Sequence, residues 1–265
     1  MLHLSTPTVS IQIQRNLLHR EFWIQLVVGR LLPTIIPLLI WQSLFDYNHV
    51  QQFQEWGSAD IIAYYLLVSI ISLFGDIHFH YDMSDMVHMG TLNQWLIRPL
   101  SFLETALSYV IAKIMILLLP GIALILVGLF LIPNTLSTIS ASTLLSVLTV
   151  VPLAVVMFAS LSITIGMLSF WIIRTDSTFA LIMLLLEFLG GRLLPISFLP
   201  AWLQTISNVF PLQYAIYLPV EIILHPGEGS VFAILLGQGL WRLLLLLLGT
   251  LLWQLGIRRY DAGGG

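Results

Sequence analysis

Carboxylates and imidazoles are concentrated in one short stretch in the first third of the chain. The stretch contains Asp76, His78, His80, Asp82, Asp85 and His88. Oxygen and imidazole ligands of these kinds hold divalent metal ions in proteins. At about 100° per residue, however, His78 and His80 would point roughly 200° apart on one helix. Polar residues are also expected where a membrane segment ends, so we favour a polar helix end over a metal site.

A second group of chemically interesting residues consists of charges inside apolar stretches. They are Arg30, Lys113, Glu187, Arg192 and Arg242. Charges at such positions mark either a transport pathway or pairs that hold helices together.

Glu187 and Arg192 are separated by about 140° on an ideal helix, so we predict that they do not pair along one face. The glycine pair between them loosens the helix, which leaves open that the two side chains meet. Arg192 lies toward the outer leaflet, where it can snorkel. We expect a substrate pathway lined by Glu187, Phe188, Gly190, Gly191 and Arg192. The alternative is that these charges pair with Lys113 or Arg242 to hold the bundle together.

The chain lacks the residues that several enzyme classes require. It has no cysteine, which excludes thiol catalysis and cysteine-ligated zinc. Its single lysine, Lys113, follows Ala112, so the Gly-Lys-Ser/Thr phosphate loop of nucleotide hydrolases is absent. We therefore predict a protein with no catalytic residues, no metal site and no cofactor of its own.

Composition indicates a chain embedded in a membrane. Hydrophobic residues make up 58% of the 265 positions and charged residues 9%, and the mean hydropathy is +0.96. Soluble domains carry about 25% charged residues, because their surfaces face water. The small net charge of -3 also argues against a nucleic-acid partner.

Six apolar stretches are long enough to cross a bilayer, which takes about 20 helical residues. They cover residues 22–44, 59–79, 102–132, 141–173, 178–194 and 231–257. Pro120 and Pro152 lie inside the third and fourth stretches and favour kinks. We predict an all-α polytopic membrane protein with a single transmembrane domain over residues 1–265.

Lysine and arginine residues outside these stretches fall in alternate connections. They are Arg15, Arg20, Arg98, Arg174, Arg258 and Arg259. The positive-inside rule then places both termini on the cytoplasmic side of the inner, or plasma, membrane.

Two further segments are apolar but do not span. Residues 1–20 mix apolar and basic side chains, which indicates an amphipathic helix on the cytoplasmic interface or, alternatively, a polar tail. Residues 195–230, on the outer side, are apolar and broken by prolines. We expect short re-entrant helices there, because backbone at membrane depth must be shielded.

The cytoplasmic loop after the second stretch is too apolar for an idle linker. An amphipathic helix over residues 85–97 is predicted by Met86, Met89, Leu92, Trp95 and Leu96, which recur at helical spacing. An exposed apolar face of this kind is usually buried against another surface. Spacing leaves open whether that surface is the membrane, another protein or the chain's own spans.

Four motifs in register resemble the ABC-2 type transporter permeases, in particular their six-span branch. The motifs are Gly90-Thr91-Leu92 with Leu96-Ile97-Arg98-Pro99-Leu100-Ser101, then Gly166-Met167-Leu168-Ser169-Phe170-Trp171-Ile172-Ile173-Arg174, then Phe188-Leu189-Gly190-Gly191 with Pro195, and Leu199-Pro200-Ala201-Trp202-Leu203 with Phe210-Pro211. The chain departs from the pattern at Met89, where the branch often has an acidic residue beside the loop glycine.

The resemblance implies a permease that pairs with a second, identical or homologous permease chain and sits on two separate ATPase subunits. Residues 85–97 would form the coupling helix, with Leu92 and Trp95 as buried anchors in the ATPase. Arg174-Thr175-Asp176 would make a smaller contact. The expected ATPase-coupling residues are Asp85, Met86, Met89, Gly90, Leu92, Trp95, Arg98, Pro99, Arg174 and Asp176. ATP and magnesium would be bound by the partner.

The resemblance also implies export, and the scarcity of intramembrane charge suits an amphipathic or lipid-like cargo. An ion-coupled secondary transporter is the main alternative, because the glycine pair at 190–191 fits a broken helix. A structural membrane anchor of an enzyme complex is the third interpretation.

Overall fold

The structure is a computed structural model that describes residues 32–48, 52–53, 56–75, 79–96, 102–131, 140–172, 176–227 and 229–260. The predicted interface helix over residues 1–20 lies outside these residues. Arg98, Pro99 and Arg174 also lie outside them, as do the side chains of Trp95 and Asp176.

The first half of the described chain is helical apart from one small hairpin. Its elements are α1 (Leu32–Asn48), β1 (Gln52–Phe53), β2 (Trp56–Gly57), α2 (Ser58–Gly75), α3 (Phe79–His88), α4 (Leu92–Leu96) and α5 (Phe102–Leu131). The two strands pair antiparallel, with Phe53 opposite Trp56. This hairpin leads directly into α2.

The second half is helical as well. Its elements are α6 (Ala141–Gly166), a 3-10 turn (Met167–Phe170), α7 (Asp176–Leu189), a second 3-10 turn (Ile196–Phe198), α8 (Ala201–Ser207), a π-helix (Gln213–Tyr217), α9 (Leu218–Leu224) and α10 (Val231–Ile257). In the described residues, each predicted span overlaps one long α-helix, and residues 195–230 contain short helices. The return of those short helices into the outer leaflet stays a prediction.

Two helical stretches of the described chain are long and apolar enough to cross a membrane. They are Ala141–Phe170 and Val231–Ile257, with 30 and 27 residues. A third span results if the two parts of α5, bent by 41° next to Pro120, are counted together. A bend is expected there because proline removes a backbone donor. The all-α membrane character is thus confirmed, while the number of six spans stays a prediction.

Serine residues are the N-caps of α6 and α10. The Oγ atom of Ser140 accepts a hydrogen bond from the backbone N–H of Thr143 at 3.2 Å. Ser230 accepts in the same way from Ala233 at 3.3 Å. Each serine satisfies a donor that the first turn of a helix leaves without a partner.

The two largest hydrophobic cores of the described residues lie along α6. The first core includes Tyr64, Tyr65, Met157, Leu212 and Ile216. The second core includes Phe79, Met83, Leu92, Met167 and Phe170. Inside a bilayer the lipid is as apolar as these side chains, so close packing and hydrogen bonds stabilise the cores.

Glycine and threonine allow α6 to approach its neighbours closely. A Cβ atom on Gly166 would lie 3.1 Å from the Cα atom of His80 and from the Cβ atom of Met83, so α6 and α3 meet almost backbone to backbone. On another side, Thr164 Oγ1 shares its proton between the carbonyl oxygen of Ser160 in α6 at 2.8 Å and that of Leu245 in α10 at 3.1 Å. α6 therefore fixes both α3 and α10.

Candidate functional site

An amphipathic helix was predicted over residues 85–97, but within residues 85–96 the end of one helix is joined to a second helix by a tight turn. α3 ends at His88, and the N–H of Met89 bonds the carbonyl oxygen of Asp85 at 2.9 Å. Gly90 follows with a φ of 69°, in the left-handed region. Glycine adopts this conformation without a Cβ penalty and commonly ends helices. We refer to α3, the turn at 89–91 and α4 as the α3–α4 unit.

One face of the α3–α4 unit packs against the chain itself. Leu92 is 1% exposed and lies in the second core with Phe79 and Met83. Met86 is half-buried against the same core. We expected Leu92 to anchor in a partner; instead it packs inside the bundle, because the turn at Gly90 points the start of α4 inward.

The other face of the α3–α4 unit is open. Met89 is 72% exposed and Leu96 is 46% exposed. Asp85, His88 and Gln94 are also exposed. Two apolar side chains thus stand among polar ones on a surface that nothing in this chain covers within the described residues.

One residue of the histidine- and aspartate-rich stretch, His80, packs in the interior of the bundle. His80 is fully buried, and its backbone N–H and ring Nδ1 lie 3.3 and 3.0 Å from the Oγ atom of Ser162. Among the residues that the structure describes, no three metal-ligating side chains come together. Asp76 and His78 lie outside the described residues.

A second candidate site lies where α7 ends. The predicted span reached residue 194, but α7 stops at Leu189 and the chain turns at Gly190 and Gly191. Gly191 has a φ of 85°, and the N–H of Arg192 bonds the carbonyl oxygen of Glu187 at 3.0 Å. The left-handed glycine thus closes the helix end.

The turn brings Glu187 and Arg192 together. Arg192 Nη1 lies 2.5 Å from Glu187 Oε1, with the two side chains 18% and 27% exposed. We predicted no pairing along one face of a continuous helix, but the helix ends before Arg192 and the two side chains meet. The glycine pair, whose loosening of the helix left this outcome open, is what turns the chain. The charge pair sits on a helix with an exposed apolar side, formed by Leu181, Leu184 and Leu185.

Two tyrosines of α2, which were not among the predicted site residues, hold this turn. Tyr64 donates its hydroxyl proton to the carbonyl oxygen of Gly191, and Tyr65 donates to that of Leu193 at 2.9 Å. The indole N–H of Trp41 in turn donates to the Tyr65 hydroxyl oxygen at 3.2 Å. Adjacent tyrosines in an apolar helix signal such bonds, because a buried hydroxyl needs a partner.

Comparison with protein families decides what kind of protein these sites serve. The family model described as "ABC-2 family transporter protein" matches residues 31–264. The chain belongs to this family. A comparison with curated proteins finds no match. The ABC-2 transporter family is one of membrane-embedded permeases, which confirms the resemblance that the four motifs indicated.

Membership in the ABC-2 family gives the two sites a context. An ABC-2 permease is the transmembrane, generally non-catalytic subunit of an ABC transporter and works with ATPase subunits. The match begins one residue before α1 and extends past α10, so it includes both the α3–α4 unit and the turn at Gly191.

Proposed function

We propose that this permease exports an amphipathic or lipid-like molecule and is driven by two separate ATPase subunits that dock on the α3–α4 unit. The observation that carries the proposal is the open face of that unit, with Met89 and Leu96 exposed beside Asp85 and His88. Exposed apolar side chains in a polar setting are typical of protein interaction surfaces. ATP and magnesium are bound by the ATPase subunits.

The buried face of the α3–α4 unit supports a mechanical role. Leu92, Phe79 and Met83 seat the unit in the second core. A force on the open face therefore reaches the bundle through tightly packed side chains, since packed interiors transmit strain. Trp95, Arg98, Pro99, Arg174 and Asp176 complete the ATPase contact in this proposal.

The Glu187–Arg192 pair supports an amphipathic cargo. Its two charges are partly exposed, and Leu184 lies one turn before Glu187 on an exposed apolar surface. A partly exposed charge pair beside an apolar face offers contacts to both a polar head and a hydrocarbon tail. Phe188, half-buried, lies beside the same passage in this proposal, and the buried Gly190 and Gly191 form the turn that positions it.

The arrangement of the whole transporter follows from these roles. Two permease chains, identical or homologous, pair in the inner membrane with both termini in the cytoplasm. Each chain has six spans, and the α3–α4 unit faces the cytosol. Family membership supports this arrangement over an ion-coupled transporter or a structural anchor.

Copurification tests the docking surface. The full-length chain is coexpressed with the ATPase of its own transporter and isolated in detergent. We expect Met89→Asp combined with Leu96→Asp to lower the copurifying ATPase about tenfold or more, because a buried charge replaces an apolar anchor. Tyr47→Asp is the matched control, since Tyr47 is 85% exposed and lies in α1.

Two results would contradict the proposal. Undiminished ATPase recovery with the double variant would rule out the α3–α4 unit as the docking surface. For the cargo, amphipathic compounds should stimulate ATP hydrolysis by the reconstituted complex. Strong and specific stimulation by a small hydrophilic ion would refute a lipid-like cargo.

A further inference from the structure

α10 is the least interrupted long helix of the described chain. It runs over 27 residues from Val231 to Ile257 without a proline. The other two long helices, α5 and α6, contain Pro120 and Pro152. Proline weakens a helix at its position, and α10 lacks the weak points that Pro120 and Pro152 create in α5 and α6.

One end of α10 packs closely against the second core through a glycine, and we call such an end fitted. A Cβ atom on Gly256 would overlap the ring of Phe170, which lies in the 3-10 turn after α6. Phe170 shares the second core with Leu92 and Phe79 of the α3–α4 unit. The ring of Phe170 also contacts Trp253, whose ring centre is 5.9 Å away. This end of α10 therefore meets the core that seats the α3–α4 unit.

The other end of α10 is fitted in the same way against the π-helix. A Cβ atom on Gly237 would overlap the ring of Tyr214. The next residue, Gln238, is 1% exposed. Its Nε2 atom donates to the carbonyl oxygens of Tyr214 at 2.9 Å and of Val150 at 3.2 Å. One amide thus ties α10 to both the π-helix and α6.

The π-helix explains why the Tyr214 carbonyl needs Gln238. In this segment the N–H of Leu218 bonds the carbonyl oxygen of Gln213, five residues earlier. The same five-residue step would pair the carbonyl oxygen of Tyr214 with the backbone N–H of residue 219. Residue 219 is a proline and has no N–H. Gln238 supplies the missing donor, and a buried carbonyl without one is costly.

The two fitted ends of α10 are a membrane thickness apart. Gly237 and Gly256 are separated by about 28 Å along the helix at about 1.5 Å per residue. The hydrocarbon layer is about 30 Å thick. α10 therefore connects the core beneath the α3–α4 unit to the helices of residues 195–230 across the bilayer.

We propose that α10 is a rigid connection through which displacement of the α3–α4 unit moves the π-helix, with Gly237, Gln238 and Gly256 as positioning residues. Its use in transport rests on the proposed function. The mechanical link itself does not, because it consists of contacts within this chain.

Hydrogen–deuterium exchange of the full-length chain in lipid nanodiscs tests the link without a partner. Gly256→Ala forces α10 and Phe170 apart at one end. We expect amide exchange in residues 213–224, at the other end, to rise about threefold or more. Gly239→Ala is the matched control in the same helix, because a Cβ atom there meets nothing within 4 Å. This control should leave exchange in residues 213–224 unchanged.

Two further variants test whether the change in exchange comes from general unfolding or reaches residues 213–224 through a helix other than α10. Phe170→Leu combined with Gly256→Ala restores space, and we expect exchange in residues 213–224 to return toward wild type. Val155→Ala opens the second core from α6 alone, since Val155 belongs to that core. We expect its effect to stay local.

Specific outcomes would overturn the proposal. It fails if Gly256→Ala changes exchange only near its own end, or if Val155→Ala affects residues 213–224 as strongly. It also fails if Phe170→Leu does not reverse the effect. ATPase copurification is measured separately, so loss of the proposed function and loss of the link give different results.

Discussion

The hydroxyl of Tyr64 in α2 donates a buried hydrogen bond to the carbonyl oxygen of Gly191, in the turn that ends α7. The bond joins two parts of the chain that are 127 residues apart. It fixes the position of the turn that carries the Glu187–Arg192 pair. Removing either partner should therefore lower the stability of the whole protein as well as disturb the turn.

Tyr64→Phe removes the donor and leaves the Gly191 carbonyl buried without it. We expect a loss of about 1–2 kcal/mol in stability, the cost of an unsatisfied buried group. Thermal unfolding in detergent measures this loss. Tyr47→Phe is the control, because Tyr47 is 85% exposed. Equal melting temperatures for the two variants would contradict a stabilising role of the Tyr64 bond.

Gly191→Ala should be more damaging than alanine at another left-handed glycine. Gly191 has a φ of 85°, and a Cβ atom would lie 3.0 Å from the Tyr64 hydroxyl oxygen and from Tyr217 Cβ. Gly227 has a φ of 97° but open space around it. Backbone strain alone costs about 1–2 kcal/mol. We expect Gly227→Ala to lose about that amount and Gly191→Ala more, as measured by thermal unfolding. The reverse order would refute the tight fit of the turn.

A double-mutant cycle measures the Glu187–Arg192 pair. Glu187→Gln or Arg192→Gln leaves one charge without its partner, so each single variant should lose stability and cargo export. The double variant should lose less stability than the two single losses added, because neither charge remains. Additive losses would show that the two side chains act independently. Export of an amphipathic dye from vesicles reports the functional effect.

Leu92→Ala and Met89→Ala should have different effects, one on the stability of the permease and the other on ATPase binding. Leu92 is buried in the second core, so its truncation leaves a cavity that costs about 2–5 kcal/mol. Met89 is 72% exposed, so Met89→Ala should leave the melting temperature nearly unchanged and weaken ATPase copurification. A destabilised Met89→Ala variant with full ATPase binding would contradict our assignment of the open face.

The character of the elements could be predicted from the sequence, because it depends on local properties. Low charge and long apolar stretches predicted a helical membrane protein, and four short motifs indicated its family before any comparison. Pro120 and the prolines of residues 195–219 also marked real bends and interruptions. The helix predicted over residues 85–97, by contrast, ran through Gly90, where the chain turns. Each of these signals acts within a few residues of itself through backbone geometry and hydropathy.

Contacts were decided only by the tertiary structure. Helical spacing predicted that Glu187 and Arg192 point apart, whereas a left-handed Gly191 held by Tyr64 brings them together. The family resemblance likewise assigned Leu92 to the ATPase, whereas packing against Phe79 and Met83 buries it in this chain. Periodicity identifies which side chains share a helix face but not what that face meets. That outcome depends on how helices distant in sequence pack together, and here glycines, tyrosines and one buried glutamine fix the packing.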